Sequence, residues 1–187
     1  MVMALVGSLL LCPQAARPAG AGAVARVREL AAARVPRAQA VARDADVVTA
    51  VMESNNRAES LADIKRKDAV WIAQRVYPLR KQVVGRPCSI KLRKLVGDDP
   101  NVVEAFVMDD RGALVCSTVE TSDYWQGDEL KWIRTFQQGR DVFVDEPALD
   151  TSAGVYAVQL SVPMGEAERR VGAVTFTLKL RRNELTK

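Results

Sequence analysis

The stretch Thr121-Ser-Asp-Tyr-Trp-Gln-Gly-Asp-Glu-Leu-Lys-Trp132 gathers the side chains best suited to holding a small molecule. Five of the ten aromatic residues fall within 124–143: Tyr124, Trp125, Trp132, Phe136 and Phe143. Asp123, Asp128, Glu129 and Lys131 are interleaved with them. Aromatic walls with a few convergent polar groups are how small-molecule pockets are lined. A ligand cation would sit against a Trp or Tyr face, and a ligand carboxylate would meet Lys131. A plain packing role competes with this for Trp132 and Phe136, which stand at i and i+4 on one helix face. Asp123, Tyr124 and Trp125 precede that helix, where a core role is harder to assign.

Other chemistry is excluded by what the chain lacks. It contains no His, so Ser-His-Asp and Cys-His catalysis, imidazole metal sites and His-ligated haem fall away. No nucleophile motif or Gly-rich phosphate loop is present. Asp123, Asp128 and Asp145 could serve as acid or base, but loop carboxylates usually solvate or cap. The carboxylate spacing matches no calcium-binding loop. The reading is therefore of a protein that is not an enzyme and needs no cofactor or metal.

The elements that position this segment follow from the rest of the chain. Its 187 residues suffice for one core, and 48% hydrophobic with 27% charged residues is ordinary globular composition. The net charge of +4 is small and scattered, which argues against a nucleic-acid partner. Residues 2–11, VMALVGSLLL, are too short to span a membrane and match the apolar core of a secretory signal, although no Lys or Arg precedes them. Small residues up to Ala23 offer cleavage points. The expected organisation is a leader over 1–23 and one domain over 24–187, periplasmic or secreted. Cys88 and Cys116 would remain; they either bridge or are two buried small hydrophobes.

Residues 24–97 read as helical and 101–181 as sheet. A helical run over 24–54 is interrupted at Pro36. A second helix starts after Ser60, with Asp63 completing a weak capping box, and runs to Gly85. Pro87 opens a short helix through Val96. Strands follow at Val102–Met108 and Ala113–Thr118, joined by the turn 109–112. After a helix over Glu129–Gln138 come strands at Asp141–Val144, Val155–Met164 and Arg170–Leu180. The last two strands have a bulky face (Tyr156, Val158, Leu160, Val162; Val174, Phe176, Leu178, Leu180) suited to the N-terminal helices. Their other face (Ala157, Gln159, Ser161; Ala173, Thr175, Thr177) is small and mildly polar, and suits a loop cover or a pocket. The class is α+β, with an antiparallel sheet of about five strands.

The segments NVVEAFVMDDRG, TSDYWQGDELKW, DVFVDEP, VYAVQLSVPM and VGAVTFTLKL, in this order and spacing, resemble the Cache superfamily of extracytoplasmic PAS-like sensors. More narrowly, the chain is similar to stand-alone bacterial PDC sensor domain proteins, over roughly Leu30 to Leu180. The resemblance implies a PAS-like sheet with long N-terminal helices, and an amino acid, amine or organic acid bound between the sheet and the loop-helix segment. It places Trp125, Asp128, Lys131 and Trp132 on that segment, and Asp145 and Tyr156 at polar positions lining the pocket. Ile133 departs from the amino-acid-binding subgroup, which has a second aromatic there. Nothing in the chain reads as an output module. The expected role is thus a sensor acting through a membrane partner. The alternative is an interaction protein that forms a homodimer through its N-terminal helices.

Overall fold

The computed structural model describes residues 21–150, 155–165 and 169–181. The leader expected over 1–23 lies outside these residues as far as residue 20.

Six helices come first: α1 (Ala21–Ala32), α2 (Val35–Arg43), α3 (Ala45–Asn56), α4 (Leu61–Ala73), α5 (Pro78–Gly85) and α6 (Pro87–Val96). Proline sits in the first turn of α2, α5 and α6, where its missing N–H costs nothing. The Asp44 carboxylate caps α3 by accepting from the N–H groups of Asp46 and Val47. The expected run over 24–54 is therefore three helices. Ser60 caps α4 as expected, accepting from the Asp63 N–H at 3.1 Å. The helix expected to continue to Gly85 stops instead at Ala73, because Pro78 restarts it as α5.

Strands β1 (Val102–Met108) and β2 (Leu114–Ser117) form a hairpin. A short helix α7 (Leu130–Trp132) runs into a π-helical turn, Ile133–Gln137, in place of the expected regular helix. Then follow β3 (Phe143–Val144), β4 (Ala148–Asp150), β5 (Val155–Met164) and β6 (Gly172–Arg181). The sheet is antiparallel throughout, in the order β2-β1-β6-β5-β3. The short β4 also pairs with β5, beyond β3, so the sheet is five positions wide. This is the α+β, PAS-like architecture expected.

Strand parity sorts the side chains as the sequence predicts. Tyr156, Val158, Leu160, Val162, Val174, Phe176, Leu178 and Leu180 join Val27, Ala31, Val41, Val47, Val51 and Leu92 of the helices in one core. The opposite face carries a second core of Phe106, Met108, Leu114, Trp132 and Ala173, covered by Ile64 and Trp71 of α4 and Val83 of α5. At Gly172 a Cβ would lie 2.1 Å from the Met108 carbonyl oxygen, so only glycine lets β6 approach β1 there.

Candidate functional site

The β1–β2 turn is the anchor of the site. The Asp109 carboxylate, 4% exposed, accepts from the N–H groups of Arg111 and Ala113 at 3.0 and 2.9 Å. Its other oxygen accepts from the Ser54 hydroxyl of α3 at 2.9 Å. Carbonyls of the same turn take both indole N–H groups of the aromatic segment: Trp132 donates to Asp109 at 3.1 Å and Trp125 to Arg111 at 2.8 Å. Gly112 has φ +79°, and a Cβ there would meet Gly127 Cα at 2.4 Å, so the segment lies directly on the turn.

Helix α4 holds the segment from the other side. Asp68 accepts the backbone N–H of Tyr124 and of Trp125 at 2.8 and 3.0 Å. The buried Trp71 indole donates to the Thr121 carbonyl at 3.0 Å. Lys65 stands 4.2 Å over the Trp125 ring. Thus the two tryptophans of the segment are fixed by their polar edges, with Lys65 over one face of Trp125 and Phe136 stacked on Trp132 at 4.9 Å.

Beyond this anchor, α7 lays Lys131 and Trp132 on the small face of the sheet. Both are buried, and the Lys131 ammonium donates to Glu129 at 2.6 Å, with the Phe106 ring 5.6 Å away. A row of polar groups runs across β1, β6 and β5 on this face. Thr177 donates to Glu104 at 2.9 Å, Ser161 and Thr175 share a hydrogen bond of 2.8 Å, and Gln159 reaches Thr177 at 3.5 Å. Thr135, fully buried, donates to the Lys131 carbonyl. Polar side chains where a core would be apolar need partners, and these have them from one another.

The structure therefore brings together Tyr124, Trp125, Lys131 and Trp132, with Asp123 beside them. The Asp123 carbonyl accepts from Thr121 and Gln126. Asp145 sits next to the polar row, its N–H bonded to the Gln159 carbonyl. Asp128 is exposed. Tyr156 is corrected: it is 3% exposed and belongs to the core under the N-terminal helices, on the opposite face from Trp132. Strand parity decides this, since Tyr156 shares its side with Val158 and Leu160. Gln159, Ser161, Thr175 and Thr177 lie on the face that the alternation along β5 and β6 marks as suited to a loop cover or a pocket. Glu104 and Thr135 join them without any signal in the sequence.

Burial pushes the Glu104 carboxyl above its ordinary value, against the Thr177 hydrogen bond and the Lys131 charge. Burial does the same at Asp109, against the N–H groups of Ala113 and Arg111 and the Ser54 hydroxyl. Asp99 moves the other way: burial would raise it, but hydrogen bonds from Arg34 and the Asn101 N–H outweigh that. A carboxyl raised by folding contributes stability below its unfolded value and loses it as pH rises through the folded one. A lowered carboxyl contributes above its unfolded value and loses this as pH falls through the folded one. Glu104→Gln should thus flatten the decline in stability on the alkaline side of the ordinary carboxylate range and spare the acid limb set by Asp99. Urea midpoints across pH check this; an unchanged alkaline decline would refute it.

No protein-family model matches the chain, and no curated protein sequence matches it. Solved structures do. One is the sensor domain of the Vibrio cholerae histidine kinase DctB, at TM-score 0.42 and 13% identity, covering 87% of this chain and 55% of that one. Another is the ligand-binding domain of the Campylobacter jejuni chemoreceptor Tlp3 in complex with 4-methylisoleucine, at TM-score 0.44 and 10% identity, covering 87% and 56%. A third is the ligand-binding domain of the Pseudomonas aeruginosa amino acid chemoreceptor PctC in complex with GABA, at TM-score 0.37 and 14% identity, covering 80% and 59%. The chain spans little more than half the length of these domains. The structures to which it is similar are sensor and ligand-binding domains of a histidine kinase and of chemoreceptors.

Proposed function

We propose that the chain is an extracytoplasmic sensor module that binds a small molecule beneath α7 and signals through a membrane partner. The observation that carries this is the polar row Glu104, Thr177, Gln159, Ser161 and Thr175 facing a buried lysine and an aromatic wall. A purely structural interface would be cheaper as apolar side chains. The ligand chemistry that suits the row is an amino acid, amine or organic acid: Lys131 meets a carboxylate, and Glu104 with the ring faces meets an ammonium. The π-helical turn beside Lys131 supports the reading, since such turns are frequent at functional sites. The Cys88–Cys116 disulfide supports an oxidising compartment. Among the described residues no helix is long and apolar enough to cross a membrane. The homodimer reading has less support, because Val27, Ala31, Val41, Val47 and Val51 of α1 to α3 are already buried in the chain's own core.

A thermal-shift screen of the full chain against amino acids, amines and organic acids tests the proposal. A ligand at 100 times its dissociation constant should add about 2.7 kcal/mol of stability. Lys131→Met, which keeps the volume and removes the charge, should abolish the shift for amino acids, whose carboxylate and ammonium the site would hold together. A silent screen of a folded chain, or an amino-acid shift indifferent to Lys131→Met, would refute the site.

A further inference from the structure

A cleft of about 710 Å³ opens on the side of the molecule where α3, α4 and α6 meet β2, away from the polar row. Of the residues expected to bind ligand, only Tyr124 lines it. We propose that this cleft is a second binding site, for a small organic carboxylate, built around Arg86 and Arg57.

Four cations line the cleft, and two of them are neutralised by the chain itself. Lys67 pairs with Glu59 at 2.6 Å, and Lys91 with Asp46 at 2.9 Å and Asp44 at 3.2 Å. Arg86 and Arg57 make no ion pair among the described residues. Arg57 is exposed on the rim, as is Glu53, and its Nη2 donates to the Ser54 hydroxyl at 2.9 Å. Arg86 lies deeper, between the buried Cys88, Val115 and Tyr124. Its Nη1 donates to the Val115 carbonyl at 2.8 Å, which fixes the guanidinium against the edge of β2. Burial pushes Arg86 below its ordinary value, while the phenol of Tyr124 beside it is pushed up to about 12, chiefly by its own burial.

Asp109 acts on Arg86 across space without pairing to it; a partly desolvated guanidinium with no directly paired carboxylate is costly to maintain, and an anion relieves that cost. The planar guanidinium fork matches a carboxylate in particular. The volume lies within the range of small-molecule sites. The wall is also held before any ligand arrives, because the Cys88–Cys116 disulfide ties α6 to β2 beside Arg86. A preformed wall lowers the ordering cost of binding.

The test is calorimetric titration of the full chain with succinate, at ionic strength held constant with chloride, and a parallel titration with inorganic phosphate. Succinate should bind saturably. Arg86→Gln should weaken it by about tenfold or more, Arg57→Gln should weaken it less, and the component lost in Arg86→Gln should persist in Lys131→Met. Should Arg86→Gln fail to fold by circular dichroism, the exposed Arg57→Gln carries the comparison. Absence of saturation, or affinity indifferent to both arginine variants, overturns the proposal. Tighter binding of phosphate overturns the carboxylate assignment. Loss in Lys131→Met alone places succinate beneath α7; it overturns this cleft and leaves the first site standing.

Discussion

Trp71→Ala is expected to cost about 3–5 kcal/mol, the range for removing a large aromatic side chain from a core. Trp71 is fully buried, and its ring lies 5.6 Å from that of Tyr124. The Arg80 guanidinium covers it at 4.7 Å and also donates to the Trp71 carbonyl. With the indole donating to the Thr121 carbonyl, one side chain joins α4, α5 and the start of the aromatic segment. The melting temperature should fall by roughly 10 °C, at a few degrees per kcal/mol for a chain of this size. Amide exchange should accelerate first in α4, α5 and 121–126, while β5 and β6 stay protected. Trp71→Phe should recover most of the loss and leave the Thr121 carbonyl with only its longer bond from Arg80, at 3.3 Å. A cost below about 1 kcal/mol for Trp71→Ala would show that the cover does not depend on this residue.

Removing the Cys88–Cys116 disulfide should cost about 3.5 kcal/mol, by chain entropy for its sequence separation of 28. Reductant should lower the urea midpoint of the parent and leave that of Cys88→Ala/Cys116→Ala in place. Thiol titration of the denatured full chain, which has three Cys, should count one thiol before reduction and three after. Equal midpoints with and without reductant would remove the disulfide from the account of stability. The same reduction should loosen the wall that carries Arg86, and so weaken succinate binding more than it weakens a ligand beneath α7.

The fold was legible where local chemistry and tertiary packing agree. The two faces of β5 and β6 differ so clearly that parity alone assigned them. Pro36 and Pro87 marked helix starts. Pro78 did too, but Tyr77 continues the apolar stripe of α4 and hides the break. Asp44 is an effective cap inside a run of Ala, Val and Arg that has no turn signal. The short β4 exists because the edge of β5 is there to pair with it, which no local pattern reveals. Within the site, the aromatic segment was legible because its residue types are rare in the chain. Tyr156 was misplaced because a position inferred by resemblance was set above the parity of its own strand. Glu104 was hidden in a strand that otherwise reads as apolar.

All three tryptophans of the chain lie on one side of the sheet. Trp71 and Trp132 are in the core of that side, Trp125 packs against it, and the core under the N-terminal helices holds none. Intrinsic emission is therefore a gauge of a single layer. Excited at the indole band, the molecule reports the cover of the polar row, while far-ultraviolet dichroism sums the helices of both sides, α1 to α3 and α6 on one and α4 and α5 on the other. The two optical signals will melt together only where both layers give way as one cooperative unit.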